Sequence, residues 1–167
     1  NSQILIKINK FVKNRLIELS GGFLVLSSIF LLVSLISYSP SDPNFIYTPE
    51  NVEIKNFGGF YGSIISDFLL QSMGLISFLV IISLFFWGLK FLTEKRISNF
   101  ISKIFFTLTY IICGTTYVNI SYNNSYWLTY HGNGGFVGRI IKENFYTLTN
   151  LIDNQYVNLS LLLLTIM

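Results

Sequence analysis

Residues 58–89 read GGFYGSIISDFLLQSMGLISFLVIISLFFWGL, and the fold is decided here. The stretch opens on glycines at the head of an amphipathic pattern. Phe57, Phe60, Tyr61, Ile64, Ile65 and Phe68 share one side of a helical wheel, with Ser63, Ser66 and Asp67 mostly on the other. From Phe68 to Leu89 no charged residue occurs, and Trp87 followed by Lys90 supplies the aromatic and the cation that sit at a membrane interface. At 1.5 Å per residue, about 20 such residues cross the roughly 30 Å hydrocarbon core of a bilayer. The pattern predicts a glycine-started interfacial helix feeding a membrane span over 68–89.

The opening has an echo downstream. GGFVGRII at 134–141 repeats GGFYGSII at 58–65, and an acid follows two places later in each copy, Asp67 and Glu143. Periods of about 20–50 residues mark solenoids; one recurrence after 76 residues makes two similar units instead. Gly58 with Gly62, and Gly134 with Gly138, form small-xxx-small ridges that let another backbone approach closely. Gly59 and Gly135 add the freedom that a tight turn into a helix wants. The residue types leave the packing and the turn roles equally open, and the packing role predicts that Gly58→Leu or Gly62→Leu weakens oligomerisation or recruitment.

Upstream, Lys7, Lys10, Lys13 and Arg15 alternate with apolar residues over 1–18. This suits a short basic amphipathic helix on an anionic leaflet, or a simple positive flank to the span that follows. The first span is expected over 19–38, with Tyr38 at the interface, and Ser39-Pro40-Ser41-Asp42-Pro43 stops it, since proline lacks an amide donor and disfavours helix in the residue before it. Downstream, a third span is expected over 100–118, with Lys103 snorkelling outward along its stem. Tyr117, Tyr122, Tyr126, Trp127 and Tyr130 then suit an aromatic belt. A second glycine-led helix covers about 134–149, Asp153 and Asn154 punctuate it, and a fourth span starts at Val157. The chain opens without a methionine and stops at Met167 about ten residues into this apolar run, which is the expectation for a piece of a longer protein.

Composition fits an all-α polytopic membrane domain. The chain is 51% hydrophobic and 11% charged, where soluble domains carry about 25% charged residues. Cys113 is the single cysteine and sits in an apolar run, so it reads as a packed thiol and excludes a disulfide framework or a cysteine zinc site. His131 is the single histidine and has no metal partner at ligand spacing. Asp67, near the end of a span, is expected to reach headgroups or water. Basic residues are unevenly placed: Lys7, Lys10, Lys13, Arg15, Lys90, Lys95, Arg96 and Lys103 flank one side of the spans, against Lys55, Arg139 and Lys142 on the other. The excess predicts a cytoplasmic amino terminus and 90–103 loop, with both glycine motifs outside.

LISYSPSDPNF at 35–45, then NFGGFYGSIISDFLLQSMGL, then HGNGGFVGRII, in that order, resemble the amino-terminal four-span membrane domain of FtsK/SpoIIIE DNA translocases over nearly the whole chain. The carrying residues are Ser37, Tyr38, Ser39, Pro40, Asp42 and Pro43 with the two glycine motifs. The chain departs from the pattern in its Tyr/Asn-rich loop, in Asp153, Asn154 and Gln155, and in its short fourth span. The resemblance implies a multi-pass anchor in the bacterial inner membrane, holding a cytoplasmic ATP-driven DNA pump at the division septum for chromosome segregation. It also implies a homo-oligomer, a hexamer with the motor, and contacts to other division proteins. No G-x-x-x-x-G-K-[ST] loop occurs in the chain, so ATP, magnesium and DNA are implied only for a motor beyond residue 167. The residues also admit a small transporter or channel subunit of two parallel repeats. Against this, the expected spans hold no pair of buried ionisable groups to bind an ion.

Overall fold

The computed structural model describes residues 2–47, 53–97, 99–122, 128, 130–149 and 154–166. Tyr126, Trp127 and Asp153 lie outside the described residues. Six α-helices follow in order among them: α1 Ser2–Ile36, α2 Gly59–Met73, α3 Ile76–Glu94, α4 Phe100–Ser121, α5 Gly135–Thr149 and α6 Asn154–Ile166. α1, α3 and α4 are long and apolar enough to cross a membrane, and α6 is a shorter apolar helix.

Two expectations about these helices change. The basic segment is not a separate interfacial helix, because it continues into the first span as one 35-residue helix. No proline interrupts 2–36, and at 1.5 Å per residue the helix is about 52 Å long, so its basic turns extend past the hydrocarbon. The apolar run over 68–89 is divided in two. Gly74 (φ 58°, ψ −140°) donates its amide to Leu70 O at 2.8 Å and closes α2, and the spanning helix begins afresh at Ile76. That conformation is essentially reserved to glycine and cannot continue a helix.

Large apolar side chains face outward and small polar ones face inward. Ser28, Ser34, Ser63, Ser66, Ser77, Thr115, Thr116 and Asn119 are buried, whereas Phe23, Leu26, Ile36, Phe68 and Phe105 are exposed. Lipid tails solvate leucine and phenylalanine well, so helices in a bilayer approach through their small residues. The buried hydroxyls are satisfied by main-chain carbonyls, Ser34 by Phe30 O at 2.9 Å and Thr115 by Ile111 O at 2.7 Å within their own helices and Ser77 by Leu69 O of α2 at 2.7 Å. α2 shows the consequence: its aromatic side, with Phe60, Tyr61 and Phe68, points away from the bundle, and Gly62, Ser63, Ser66 and Leu70 point in.

The chain folds as two similar units. In the first, α1 packs along α3 and is crossed by α2; in the second, α4 packs on both α5 and α6. Gly21 and Gly88 bring α1 and α3 together, since a Cβ on Gly21 would stand 2.8 Å from Gly88 O and one on Gly88 would stand 2.9 Å from Gly21 O. The units meet where α2 contacts α5 and where α3 contacts α4. Leu35, Leu70, Ile81 and Leu128 form a small apolar core, with Leu31, Leu32, Tyr38, Leu69 and Phe78 packed against it.

Candidate functional site

The motif that ends α1 ties the following loop to the bundle. Past Ile36 the backbone turns, with Asp42 N donating to Ser39 O at 3.1 Å. Asp42 is 2% exposed, and its carboxylate accepts the amides of Lys55 at 3.1 Å and Asn56 at 2.8 Å. Pro43 is buried beside it, while Pro40 is exposed on the turn and Ser39 Oγ lies 2.8 Å from Ser41 Oγ. Asn56 carries the tie inward: its Nδ2 donates to Ser34 O at 2.8 Å and Ser66 Oγ at 3.2 Å, and its Oδ1 accepts Gly58 N at 2.9 Å. Ser37 Oγ accepts Phe57 N at 2.9 Å. A carboxylate and an amide thus satisfy main chain that no helix or strand can.

Both glycine motifs sit on the helix that precedes them. A Cβ on Gly62 would stand 2.5 Å from Asn56 Oδ1 and 2.8 Å from Ser34 Oγ, and one on Gly58 would meet the same two side chains. A Cβ on Gly134 would stand 2.6 Å from Thr115 O, and one on Gly138 would stand 2.7 Å from Thr115 C. Gly59 and Gly135 turn the chain into their helices with matching φ of 63° and 65°. Within each motif the outer glycines make the close contact and the middle one makes the turn. Gly74 and Gly135 also abut: a Cβ on Gly135 would lie 2.6 Å from Gly74 N, and Leu75 N donates to Asn133 O at 2.9 Å.

Asp67 has a partner within the chain that its position did not suggest. It is half-buried and accepts the Tyr38 hydroxyl at 2.9 Å, with Gln71 Nε2 3.5 Å away. Tyr38 lies beyond the end of α1, and burial, then the Asp67 charge, push its phenol well above the usual value, so it stays a donor at neutral pH. His131 is half-buried with its ring edge-on to Phe136 at 5.5 Å between centroids. Burial, then Arg139, lower its pKa, which keeps the imidazole neutral near pH 7.

The eight basic residues counted on one side gather at the other end of the bundle. Lys7, Lys10 and Lys13 are exposed on the first turns of α1, and Arg96 is exposed after α3. Glu18 pairs with Lys95 at 2.6 Å and with Arg15, and Lys90 lies 3.4 Å from Glu94. Lys103 differs from expectation. Its Nζ does not snorkel outward; it is buried over the Phe91 ring, 5.8 Å from the centroid, without a hydrogen-bond acceptor. Lys55, Arg139 and Lys142 belong to the motif end, where Lys142 Nζ approaches Asn119 O at 3.5 Å.

Sequence reasoning missed Asn56, Ser34, Gly74, Gly21 and Gly88. Asn56 two residues before Gly58 was the one available signal, because an Asn side chain can bond the main chain two residues on and so favours turns. The chain has no G-x-x-x-x-G-K-[ST] loop, and among the described residues no group of three His, Cys, Asp or Glu is placed to hold a metal ion.

The 4TM region of DNA translocase FtsK/SpoIIIE matches as a family model over residues 13–167. Among relatives, DNA translocase FtsK of Rickettsia typhi is 33% identical over 113 residues, covering 68% of this chain and 15% of the relative. DNA translocase FtsK of Vibrio vulnificus is 26% identical over 141 residues, 80% of this chain and 14% of the relative. The protein of the same name from Azospirillum brasilense is 33% identical over 90 residues, 53% of this chain and 14% of the relative. The chain thus spans about a seventh of the length of these relatives. No solved structure matches. With the match extending across all but the first turns of α1, the chain belongs to the family of four-span membrane regions of FtsK/SpoIIIE DNA translocases.

Proposed function

We propose that this domain anchors a cytoplasmic ATP-driven DNA motor in the inner membrane at the division septum and assembles it there for chromosome segregation. The observation that carries the reading is the family match over 13–167, joined to a helical bundle whose exterior is large and apolar. The mechanism is mechanical. Confining several motor chains to one patch of membrane raises their effective concentration for assembly into a ring, which the resemblance makes a hexamer. The excess of Lys and Arg at one end supports a cytoplasmic amino terminus and 90–103 loop, with both glycine motifs outside and available to other division proteins. DNA, ATP and magnesium would be engaged by the motor alone.

The test uses the full-length protein with a fluorescent tag. Exchanging residues 13–167 for an unrelated four-span region should keep the protein in the membrane fraction and remove its focus at mid-cell. A septal focus that survives the exchange would remove recruitment from this domain's role. The reading of the chain as a transporter of two parallel repeats predicts solute flux in liposomes, which the anchor reading does not.

A further inference from the structure

At the basic end, α1, α3 and α4 leave a gap. Leu19, Phe23 and Leu24 of α1, Leu84 and Trp87 of α3, and Phe100 of α4 line an open groove of about 540 Å³, within the size range of small-ligand sites. Its walls are almost wholly apolar: Ser20 also lines it, and its hydroxyl is committed to Leu16 O at 2.8 Å. Phe23 is 72% exposed, so the groove opens sideways, toward whatever surrounds the spanning helices.

The cations around this end of the bundle are incompletely paired. Phe91 lines the groove, and Lys103 Nζ stands over its ring. Glu18 is shared by Arg15 and Lys95, and Glu94 is taken by Lys90. The Lys103 ammonium is buried and has no hydrogen-bond acceptor. Burying a charge without a partner costs far more than a cation–π contact returns, so this site wants an anion. An apolar slot at the basic end, with an unpaired ammonium against the Phe91 ring that lines it, complements one acyl chain beneath one anionic headgroup.

We infer that the groove binds a phospholipid with an anionic headgroup, its acyl chain against Leu24, Leu84 and Trp87 and its phosphate meeting Lys103 as that side chain turns out from the Phe91 ring. A free phosphate would satisfy Lys103 but leave the aromatic walls uncovered, whereas a lipid satisfies both. The inference rests on the membrane-anchor reading and gives that anchor a chosen lipid.

The experiment places the full-length protein in nanodiscs of phosphatidylcholine with a minority of phosphatidylglycerol, bromine being carried on the chains of one lipid or the other. The Trp87 contribution to emission is taken as the difference from Trp87→Phe. Brominated phosphatidylglycerol should quench it about fivefold more efficiently per mole than brominated phosphatidylcholine, the effect of one lysine at an anionic surface. Lys103→Gln should abolish the preference and Lys103→Arg should keep it. Equal quenching by the two lipids, or a preference unchanged in Lys103→Gln, overturns the inference. So does shielding of Trp87 from both lipids together with a disulfide between Leu24→Cys copies, which would give the groove to a second chain. Carbonate washing of the cell membranes from which the protein is taken separates the two levels: a protein released by the wash defeats the anchor reading, and a retained protein without lipid preference defeats the lipid site alone.

Discussion

Asp42 is 2% exposed and receives two main-chain amides from a segment 13 and 14 residues further on. Each bond to a charged acceptor contributes about 1.5–3 kcal/mol, and a buried amide left open costs a similar amount. Asp42→Ala is therefore expected to destabilise the protein by about 2–4 kcal/mol, with Asp42→Asn recovering part of the loss. Thermal unfolding of the detergent-solubilised protein reads this directly, and a midpoint unchanged in the alanine variant would remove the carboxylate from the latch. The prolines announced the end of the span, because their effect is local. Neither the Asp42 bonds nor the Tyr38–Asp67 bond at 2.9 Å was legible, since their partners are brought in by tertiary folding. Lys103 is the same case reversed: its stem suggested a route outward, and only the position of Phe91 holds the ammonium in.

At the level of elements, a single glycine decides where the second spanning helix begins. Gly74 closes α2, and a Cβ there would lie 2.6 Å from Asn133 C and 2.8 Å from Gly135 N. Gly74→Ala should lose about 1–3 kcal/mol from its backbone conformation alone. The clash should also loosen the contact between the two units. A cysteine pair placed at Ser72 and Phe136 would report that loosening as slower disulfide formation in the alanine variant; an unaltered rate and unaltered melting would refute it. Gly58 and Gly62 are engaged within the chain by Ser34 and Asn56. Gly62→Leu consequently strikes the packing of α2 on α1 before any contact between copies, and its effect on recruitment must be read against folded protein. The repeat of GGFYGSII and GGFVGRII was legible as a pair of helix starts, and the structure gives both the same turn. Gly74 was hidden inside an uncharged run, where hydropathy is the same with or without a break.

For the whole molecule, the proposed orientation predicts that a periplasm-active reporter fused within 90–103 stays inactive and that one fused between Tyr38 and Asn56 is active. The opposite pattern would invert the bundle and move the glycine motifs to the cytoplasmic side. The sequence by itself determined the class of the protein, the apolar runs, the proline stop, the asymmetry of basic residues and the family motifs. Each of these is a property of composition or of a short window, and transfer from water to lipid sums over such windows without knowledge of the fold. Only the tertiary structure decided that α1 is continuous, that Gly74 divides the second run, that α2 turns its serines inward, and that Gly21 meets Gly88. The reason is physical: apolar side chains are equally at home against lipid or protein, so hydrophobicity does not choose partners among membrane helices. Close approach of small residues and the satisfaction of buried polar groups make that choice, through contacts between residues distant in the chain.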